Sequence, residues 1–357
     1  MTAEYFWTLP TRGDGRRGSG PLGNRGDWTS GGRPLIASIR DVRRDRYGYF
    51  DYLVQVARAA AVSGFTGVFV PFDPEGEESW IVSAALAREL PTLDFVTEFS
   101  PVFSTPVYAA KMSASFQRLS GGGLAWKLSV DEDPSVARGF GDHVEGIDRF
   151  ARADEFLDVV TGIWNRENFD YQGRFYQVQD GGLKEPLARH ARPPVTLAGT
   201  SPEALALSAK HADVHLWDTS LPDELDAHRA ELDRLAAALG RSVRHGLQLG
   251  VFARETAEDA WEEVRRLWSE SGAGRSEEFD QRVVAPYLWT GFQLIGQEAP
   301  IGLVGSYEEV AGYLHDATDR GIDTFYLAAS PRLEEAYRFG EHVAPFLVTA
   351  GQRRQAV

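Results

Sequence analysis

Short apolar segments alternate with amphipathic segments along the whole chain, and this alternation constrains the fold more than any other feature of the sequence. The apolar segments predict eight strands, at about residues 5–9, 67–70, 94–99, 124–129, 195–198, 214–217, 247–253 and 324–328. Helical spacing of apolar residues follows the strands, as in the helix predicted for about 49–63, where Leu53, Val56 and Ala60 share one face. The pattern therefore predicts an α/β protein built from strand–helix units.

Eight strand–helix units are the number found in a (β/α)8 TIM barrel, in which the carboxyl ends of the strands carry the catalytic residues. A barrel accounts for all 357 residues as a single domain, residues 1–357, without a linker. The alternative is a doubly wound open sheet, which more usually has a glycine fingerprint after its first strand. Here the Gly-rich loop after the first strand does not fit a G-x-G-x-x-G motif followed directly by a helix, so the sequence favours the barrel.

Three segments interrupt the regular alternation. A loop rich in Gly and Arg, at about 12–46, follows the first strand and is interpreted as a lid over the catalytic rim. A hairpin is predicted at about 169–178, with Gln172-Gly173 at its centre. A less regular insertion spans about 272–302. We therefore expect a barrel with insertions at its C-terminal rim.

The composition argues against several classes of function. A formal charge of −15 and a pI near 5.0 disfavour nucleic acid as a partner, because phosphate binding needs a basic surface. No apolar segment approaches the roughly 18 residues of a membrane span, and the start lacks a signal peptide, so we expect a cytoplasmic protein without a membrane partner. There is no cysteine for disulfides or thiolate chemistry, and the eight scattered histidines form no metal-binding motif.

The segment Gly199-Thr200-Ser201 joins the fifth strand to a helix. Backbone N–H groups at a helix N-terminus, two hydroxyls and a glycine that permits close approach are suited to a phosphate group. An ordinary helix N-cap by Ser201 explains the same residues. Both interpretations can hold together.

Polar side chains also lie on the fourth, sixth and seventh strands. Lys127 and Ser129 share one face of the fourth strand, where the lysine must reach an anion, solvent or a carboxylate such as Asp131. His215 and Trp217 share a face of the sixth strand, as a core pair or as part of a site.

Gln248 lies between Gly246 and Gly250 on one face of the seventh strand. The two glycines either leave room for a bulky ligand, or they mark a strand bulge or tight packing against a neighbouring strand.

Several motifs together resemble the flavin-dependent monooxygenases of the bacterial-luciferase-like superfamily, in the branch around alkanesulfonate and dimethylsulfone monooxygenases. They are Phe6-Trp7, Leu9-Pro10-Thr11, Gly13-Asp14-Gly15, Ser104-Thr105-Pro106, Arg118-Leu119-Ser120-Gly121-Gly122, Arg152-Ala153-Asp154-Glu155-Phe156, Leu303-Val304-Gly305 and Leu333-Glu334-Glu335-Ala336-Tyr337-Arg338. The resemblance covers about residues 5–347 and implies a (β/α)8 barrel that forms a homodimer or homotetramer. It also implies reduced FMN (FMNH2) from a separate NAD(P)H-dependent flavin reductase, O2 as co-substrate and a small organic substrate.

The resemblance also suggests cofactor-binding residues. Gly199, Thr200 and Ser201 match the family's phosphate-binding Gly-Ser-Ser, and Trp217 lies within one residue of a family active-site Trp. Lys127, where the family has Asn, Ser129 and Arg149 complete the predicted cofactor site.

Other positions depart from the sulfonate branch. Arg12 replaces a His, Gln248 and Gly250 replace an Arg and a His, and Ser330 and Arg332 replace a Tyr and a His. A sulfonate needs charge-assisted donors that Gln248 does not supply, so we expect another substrate. Lys127, Gln248, Arg12 and Arg332 are the predicted catalytic residues, and the three cations among them are expected either to bind a different acidic substrate or to stabilise the peroxide anion themselves.

Three functions remain open at this point. The first is an FMNH2-dependent monooxygenase acting on a small molecule other than an alkanesulfonate. The second is a deazaflavin-dependent oxidoreductase that transfers hydride on the same fold. The third is a non-catalytic relative that only binds flavin, because a fold does not by itself fix an activity.

Overall fold

The structure, a computed structural model, describes residues 3–14, 48–131, 133–217, 222–272, 274, 276–297 and 299–347. Most of the predicted lid-like loop, from residue 15 onwards, lies outside these residues.

The strands in the described residues are β1 (Glu4–Thr8), β2 (Gly67–Val70), β3 (Asp94–Phe99), β4 (Leu124–Leu128), β5 (Phe169–Gln172), β6 (Gln177–Gly181), β7 (Val195–Ala198), β8 (Val214–Trp217), β9 (Arg244–Arg254), β10 (Val283–Ala285), β11 (Leu288–Trp289), β12 (Gly302–Ser306) and β13 (Ile322–Ala328). The helices are α1 (Tyr49–Val62), α2 (Ser79–Glu89), α3 (Pro106–Ser120), α4 (Pro134–Gly139), α5 (Ile147–Asn165), α6 (Pro202–His211), α7 (Pro222–Ala238), α8 (Ala257–Ser271), α9 (Ser276–Asp280), α10 (Tyr307–Asp319), α11 (Arg332–Arg338) and α12 (Ala344–Leu347), with a π-helical segment over Phe339–Val343.

The chain divides into two compact units, the first formed by Met1–Phe69 with Gly246–Val357 and the second by Val70–His245. The strand order in the first unit is β10-β11-β12-β9-β13-β1-β2, in which β1 pairs in parallel with β13 and β2, and β9 with β12. The order in the second unit is β3-β4-β7-β8, all parallel, with β5 and β6 as a separate antiparallel hairpin. The single domain of residues 1–357 stays a prediction.

The predicted fold class, a (β/α)8 barrel, is confirmed. The eight predicted strands correspond to β1, β2, β3, β4, β7, β8, β9 and β13, and each is followed by a helix. The predicted hairpin is β5–β6, and the predicted insertion contains α9 and the short strands β10 and β11. Strand β12, which adds to the edge of β9, was not predicted.

Local sequence explains where the helices after the strands begin. Helix α3 has Thr105 as N-cap, whose hydroxyl accepts the Tyr108 N–H at 3.4 Å, and Pro106 in its first turn. It ends at Gly121, whose φ of 88° favours glycine. Helix α6 repeats the same start with Ser201 and Pro202. These caps fix the direction in which the chain leaves β3 and β7.

The two faces of β4 have different partners. The Trp126 indole N–H donates to Ser113 of α3 at 3.0 Å, and its ring lies edge-on to Phe99 at 5.2 Å, so this face packs against the helices. Because side chains alternate along a strand, Lys127 points to the opposite face. The fold therefore places a lysine on the face of the sheet that is turned away from its helices.

Candidate active site

Lys127 forms a buried ion pair with Glu98. The two residues are register partners on β4 and β3, and their side chains are 11% and 9% exposed. The Lys127 ammonium donates to Glu98 Oε1. The sequence interpretation offered Asp131 as an example of a carboxylate partner, but Asp131 is exposed and contacts Arg149 at 3.4 Å. The charge of Lys127 is therefore balanced by a carboxylate that the sequence analysis did not identify.

The Glu98 carboxylate accepts hydrogen bonds from three donors at the ends of neighbouring strands. Besides Lys127, the Ser129 hydroxyl donates to Oε1 at 2.5 Å and the Phe72 N–H donates to Oε2 at 3.1 Å. Lys127 and Ser129, both predicted to bind the cofactor, are thus brought together by one carboxylate. Glu98 could have been recognised from the sequence, because it is a charged residue within the strand segment Phe95-Val96-Thr97-Glu98-Phe99, whose other residues carry no charge.

The segment Gly199-Thr200-Ser201 forms the entry to helix α6. Gly199 has a φ of +109°, and a Cβ there would lie 3.0 Å from the Cβ of Ala204, so glycine is required. The Ser201 hydroxyl accepts the Ala204 N–H at 3.2 Å, which is the predicted N-cap. Thr200 is exposed. The segment thus combines a glycine cradle, two hydroxyls and the positive end of a ten-residue helix.

Trp217 lies among three histidines in the second unit. Its ring centroid is 4.1 Å from that of His215, 6.2 Å from His228 and 6.0 Å from His245. Its indole N–H donates to His245 Nδ1 at 3.3 Å, and His245 Nε2 lies 3.0 Å from Asp233. With only 2% of Trp217 exposed, these contacts agree with the core-packing interpretation. Its role in binding the cofactor stays a prediction.

His215 is fully buried beneath the Gly199 segment. Leu197, two residues before Gly199, is its register partner, and His215 Nδ1 lies 2.8 Å from the Ser208 hydroxyl on α6. Burial, and secondarily the neighbouring His245, lower the pKa of His215 to about 3. The imidazole is therefore neutral at physiological pH.

Arg149 and Arg152 occupy one turn of α5. Arg149 is 9% exposed and its guanidinium reaches Asp131 at 3.4 Å. Arg152 makes two hydrogen bonds to Asp142, at 2.7 and 2.8 Å, and its hydrogen bonds lower the pKa of that carboxyl. Arg149 has the weaker ion pair of the two, and its role in cofactor binding stays a prediction.

In the first unit, Asp14 connects the segments that follow β1 and β13. Its carboxylate accepts the Ser330 hydroxyl and the Arg332 N–H, both at 2.7 Å, and the Tyr52 hydroxyl. Arg332 is only 3% exposed, and its guanidinium donates to the Ala329 carbonyl. This predicted catalytic residue therefore lies within a network of the chain's own groups.

Arg12 and Gln248, the other two predicted catalytic residues of the first unit, differ in burial. Arg12 is exposed and Gln248 is half-buried. The space beside Gly250 is filled, because a Cβ there would lie 2.1 Å from the ring of Phe292. Gly302, the register partner of Gly250, meets the same ring. Gly250 is therefore tightly packed, although the group that packs on it is the Phe292 ring of the 3-10 segment Phe292–Ile295 rather than a neighbouring strand.

One group of side chains in the described residues has the spacing of a metal site. Ligand atoms of Asp154, Asp158 and His211 lie within 4.8 Å of one another. The Lys210 ammonium contacts both carboxylates, at 2.7 and 2.9 Å, and His211 lies 2.7 Å from Asp154. The hydrogen bond from His211 is the largest of the effects that lower the pKa of Asp154, to about 2. An ion-pair network therefore accounts for the cluster.

Parallel strands, each followed by a helix, define the class of (β/α)8 proteins, and the segment after β7 has the features that suit a phosphate group. The sequence profile described as luciferase-like monooxygenase matches residues 5–333. The chain belongs to this family and is therefore a flavin-dependent oxidoreductase of the monooxygenase type.

Solved structures agree with the fold. EDTA monooxygenase (EmoA) from Chelativorans sp. BNC1 is 21% identical, with 97% of this chain and 93% of that chain covered and a TM-score of 0.70. A riboflavin lyase (RcaE), solved with modified FMN and riboflavin, is 18% identical, with 100% and 92% covered and a TM-score of 0.71. An F420-dependent secondary alcohol dehydrogenase is 14% identical, with 98% and 100% covered and a TM-score of 0.68. At these identities the likeness concerns the fold alone.

Within the described part of the chain, none of the helices has the length and apolar character needed to cross a membrane.

Proposed function

We propose that the protein is an FMNH2- and O2-dependent monooxygenase that receives reduced flavin from a separate reductase and oxygenates a small organic substrate other than an alkanesulfonate. The observation that carries the proposal is the Gly199 segment at the start of α6, in a chain of the luciferase-like family. Reduced FMN, when bound, supplies the reducing equivalents with which O2 is activated for oxygen insertion.

The residues after β7 fit the phosphate of FMN. Gly199 has a φ of +109°, which favours glycine, and the absence of a side chain there allows the backbone to approach a ligand closely. Thr200 and Ser201 add hydroxyl donors, and the helix start adds a positive partial charge. In this proposal Ser201 serves as both helix cap and phosphate donor.

Lys127, Ser129 and Glu98 supply the polar groups at the end of β4. The carboxylate fixes the lysine ammonium and the serine hydroxyl in one geometry. In this proposal these groups hold a proton next to the reacting atoms and orient a polar group of the substrate or cofactor. Because hydrogen bonds already hold these three side chains in place, they need little reorganisation when the substrate binds.

The charge balance supports a substrate other than a sulfonate. The Lys127–Glu98 pair carries no net charge, so the charge of this lysine is already matched by a carboxylate. Gln248 stands where the sulfonate branch is expected to have an Arg, and it offers only neutral donors and acceptors. A neutral polar group, such as a hydroxyl, carbonyl or amide, matches this set better than a bare anion.

Oxygen consumption tests the proposal. The purified protein, FMN, NADH and a generic flavin reductase are mixed with candidate metabolites, and products are screened for incorporation of 18O from 18O2. We expect substrate-dependent oxygen uptake and labelled product only with the reductase present. NADH-driven turnover without a reductase would contradict the two-component scheme, and efficient sulfite release from alkanesulfonates would contradict the substrate assignment.

A deazaflavin-dependent hydride transfer is the second candidate, because an F420-dependent alcohol dehydrogenase shares the fold. Such an enzyme consumes no oxygen. Substrate-dependent bleaching of oxidised F420 under anaerobic conditions, with no 18O in the product, would favour it over the monooxygenase.

The proposed enzyme is a cytoplasmic homodimer or homotetramer. Sedimentation of the purified protein tests the oligomer, and fractionation of cells tests the location.

A further inference from the structure

Three phenylalanine rings meet at the ends of strands β2, β3 and β4. Phe72 lies two residues beyond β2, Phe103 lies in a turn just after β3, and Phe140 directly follows α4. Their ring centroids are 5.0 Å apart for Phe72 and Phe103, 5.8 Å for Phe72 and Phe140, and 4.8 Å for Phe103 and Phe140. Each ring thus contacts both others, although the three residues come from different strand–helix connections.

The cluster is not a buried core. Phe103 is 40% exposed and Phe140 is 47% exposed, while Phe72 is half-buried. An exposed phenylalanine is ordinary when it stands alone, whereas three partly exposed rings in mutual contact beside polar groups form a candidate binding surface.

A shared carboxylate connects this aromatic cluster to the Lys127 group. The Phe72 N–H donates to Glu98 Oε2 at 3.1 Å, and Glu98 Oε1 accepts from Lys127 and from the Ser129 hydroxyl at 2.5 Å. The backbone that carries one of the rings is therefore fixed by the same carboxylate that fixes the polar groups. Apolar surface and polar groups lie side by side at the carboxyl ends of adjacent strands, where barrels of this class perform their chemistry.

We propose that Phe72, Phe103 and Phe140 form the substrate-binding wall, and that the substrate has a planar apolar ring next to a neutral polar group. The assignment rests on the proposed function, whose substrate class it specifies.

Two physical properties point to this class. Phenyl rings set at angles of 49° to 62° to one another offer both faces and edges, which suits edge-to-face and offset contacts with another ring. The neighbouring ion pair has donors and an acceptor but no net charge, so it favours a hydroxyl or carbonyl over a strong acid. A ring that bears one oxygen function satisfies both parts of the surface.

The test uses 2-naphthol as a fluorescent probe and its saturated analogue, decahydro-2-naphthol, as a competitor. The two share the hydroxyl and the carbon skeleton and differ in planarity and aromaticity. Binding is measured on the full-length protein without flavin, so that the outcome does not depend on turnover. We expect 2-naphthol to bind, and the saturated analogue to compete about tenfold less well, which corresponds to the preference of aromatic rings for one another.

Substitutions locate the binding surface. Phe103→Ala and Phe140→Ala should each raise the dissociation constant of 2-naphthol about tenfold, because each removes one ring of the wall. Phe103→Leu keeps apolar volume and provides a second variant if the alanine protein does not fold. It should weaken the binding of 2-naphthol but not the binding of the saturated analogue. Phe346→Ala is the matched control, because Phe346 is 54% exposed but lies on helix α12.

Four other outcomes would contradict the inference, and a fifth would contradict only the proposed monooxygenase. Unchanged 2-naphthol affinity in the folded Phe103 and Phe140 variants would place the probe elsewhere, and absence of binding would remove the ring site altogether. A change in sedimenting mass in these variants, without a change in naphthol affinity, would make the cluster a contact between copies of the chain. Flavin-dependent turnover of an aliphatic substrate, unaffected by these variants, would reject the wall and leave the proposed monooxygenase intact. Ring-dependent binding without oxygen uptake would reject only the monooxygenase.

Discussion

Glu98 and Lys127 face each other across β3 and β4, and their side chains form an ion pair that is almost completely buried. Burying two charges is costly, and their attraction offsets this cost only while both partners remain. The pair therefore makes Lys127 dependent on a residue 29 positions away in sequence.

Substitution of one partner should cost more stability than substitution of both. Glu98→Gln removes the carboxylate that pairs with the buried Lys127 ammonium, so we expect the free energy of unfolding to fall by about 3–5 kcal/mol. The double variant Glu98→Gln/Lys127→Met removes both charges of this pair and should recover a large part of this loss. Urea unfolding of the two single variants and the double variant measures the coupling.

Thr97→Val is the matched control for this cycle. Thr97 is buried on the other face of β3, where its hydroxyl donates to Ser83 at 2.7 Å. Loss of one neutral hydrogen bond should cost only about 1–3 kcal/mol and show no coupling to Lys127. Additive effects of Glu98→Gln and Lys127→Met on the free energy of unfolding would show that the two side chains do not stabilise each other.

Much of the fold follows from local sequence. Strands β2, β3, β7 and β8 were predicted with their observed bounds, because short apolar runs are limited on both sides by turn-forming or polar residues. The starts of α3 and α6 follow from a hydroxyl residue followed by proline. These features need no knowledge of distant residues.

The partners of the site residues could not be predicted in the same way. Strand register decides that Lys127 meets Glu98 rather than Asp131, although Asp131 is nearer in sequence. The space beside Gly250 is taken by Phe292, 42 positions further along the chain, through an insertion with no regular pattern. Apolar periodicity identifies a strand, but the residue that packs on it is set by tertiary structure.

Gly250→Ala tests that packing. The new Cβ would overlap the Phe292 ring, so we expect destabilisation by about 1–3 kcal/mol, partly relieved in the double variant Gly250→Ala/Phe292→Leu. Gly312→Ala is the control, because Gly312 lies inside α10 and a Cβ added there would meet no atom within 4 Å, so alanine should stabilise by about 0.5–1 kcal/mol. Thermal or urea unfolding measures these changes. An unchanged free energy of unfolding in Gly250→Ala would mean that the space beside Gly250 is open.

His215 should make the protein less stable in weak acid. Burial lowers its folded-state pKa to about 3, below the ordinary 6.5, so between these values the unfolded chain binds more protons than the folded chain. Stability should therefore fall as the pH decreases from 6.5 towards 3, by up to about 1.4 kcal/mol per pH unit for this one group. Urea unfolding at several pH values measures the slope.

His215→Asn removes the titrating group while keeping a side chain that can hydrogen-bond to Ser208. The slope in this pH range should become shallower than in the wild type. The other titratable groups of this cluster, namely His228, His245 and Asp233, are present in both proteins. His315→Asn, on an exposed part of α10, should leave the slope as it is. An unchanged slope in His215→Asn would show that other groups dominate the acid response.

Replacement of Ser201 by aspartate distinguishes the role of this residue as a helix cap from its proposed role in phosphate binding. Aspartate caps a helix as well as serine, so Ser201→Asp should keep the thermal stability of the wild type. Its negative charge would repel a phosphate bound at the same helix start, so we expect reduced FMN to bind at least about a hundredfold more weakly. Ser201→Ala should lose about 1 kcal/mol of stability as well as about tenfold or more in FMN affinity. Anaerobic titration with FMNH2 and thermal unfolding measure the two effects separately.

Thr105 provides the matched control, because it caps α3 as Ser201 caps α6, with a hydroxyl that accepts an N–H and a proline in the first turn. Thr105→Ala should lower stability by a similar amount and leave FMNH2 affinity unchanged, since no role in phosphate binding is proposed for the start of α3. If Ser201→Asp binds FMNH2 as tightly as the wild type, Ser201 is a helix cap alone and the phosphate must be held elsewhere in the chain. If Ser201→Asp loses both stability and affinity while Thr105→Ala loses only stability, the cap and the phosphate site depend on the same hydroxyl geometry.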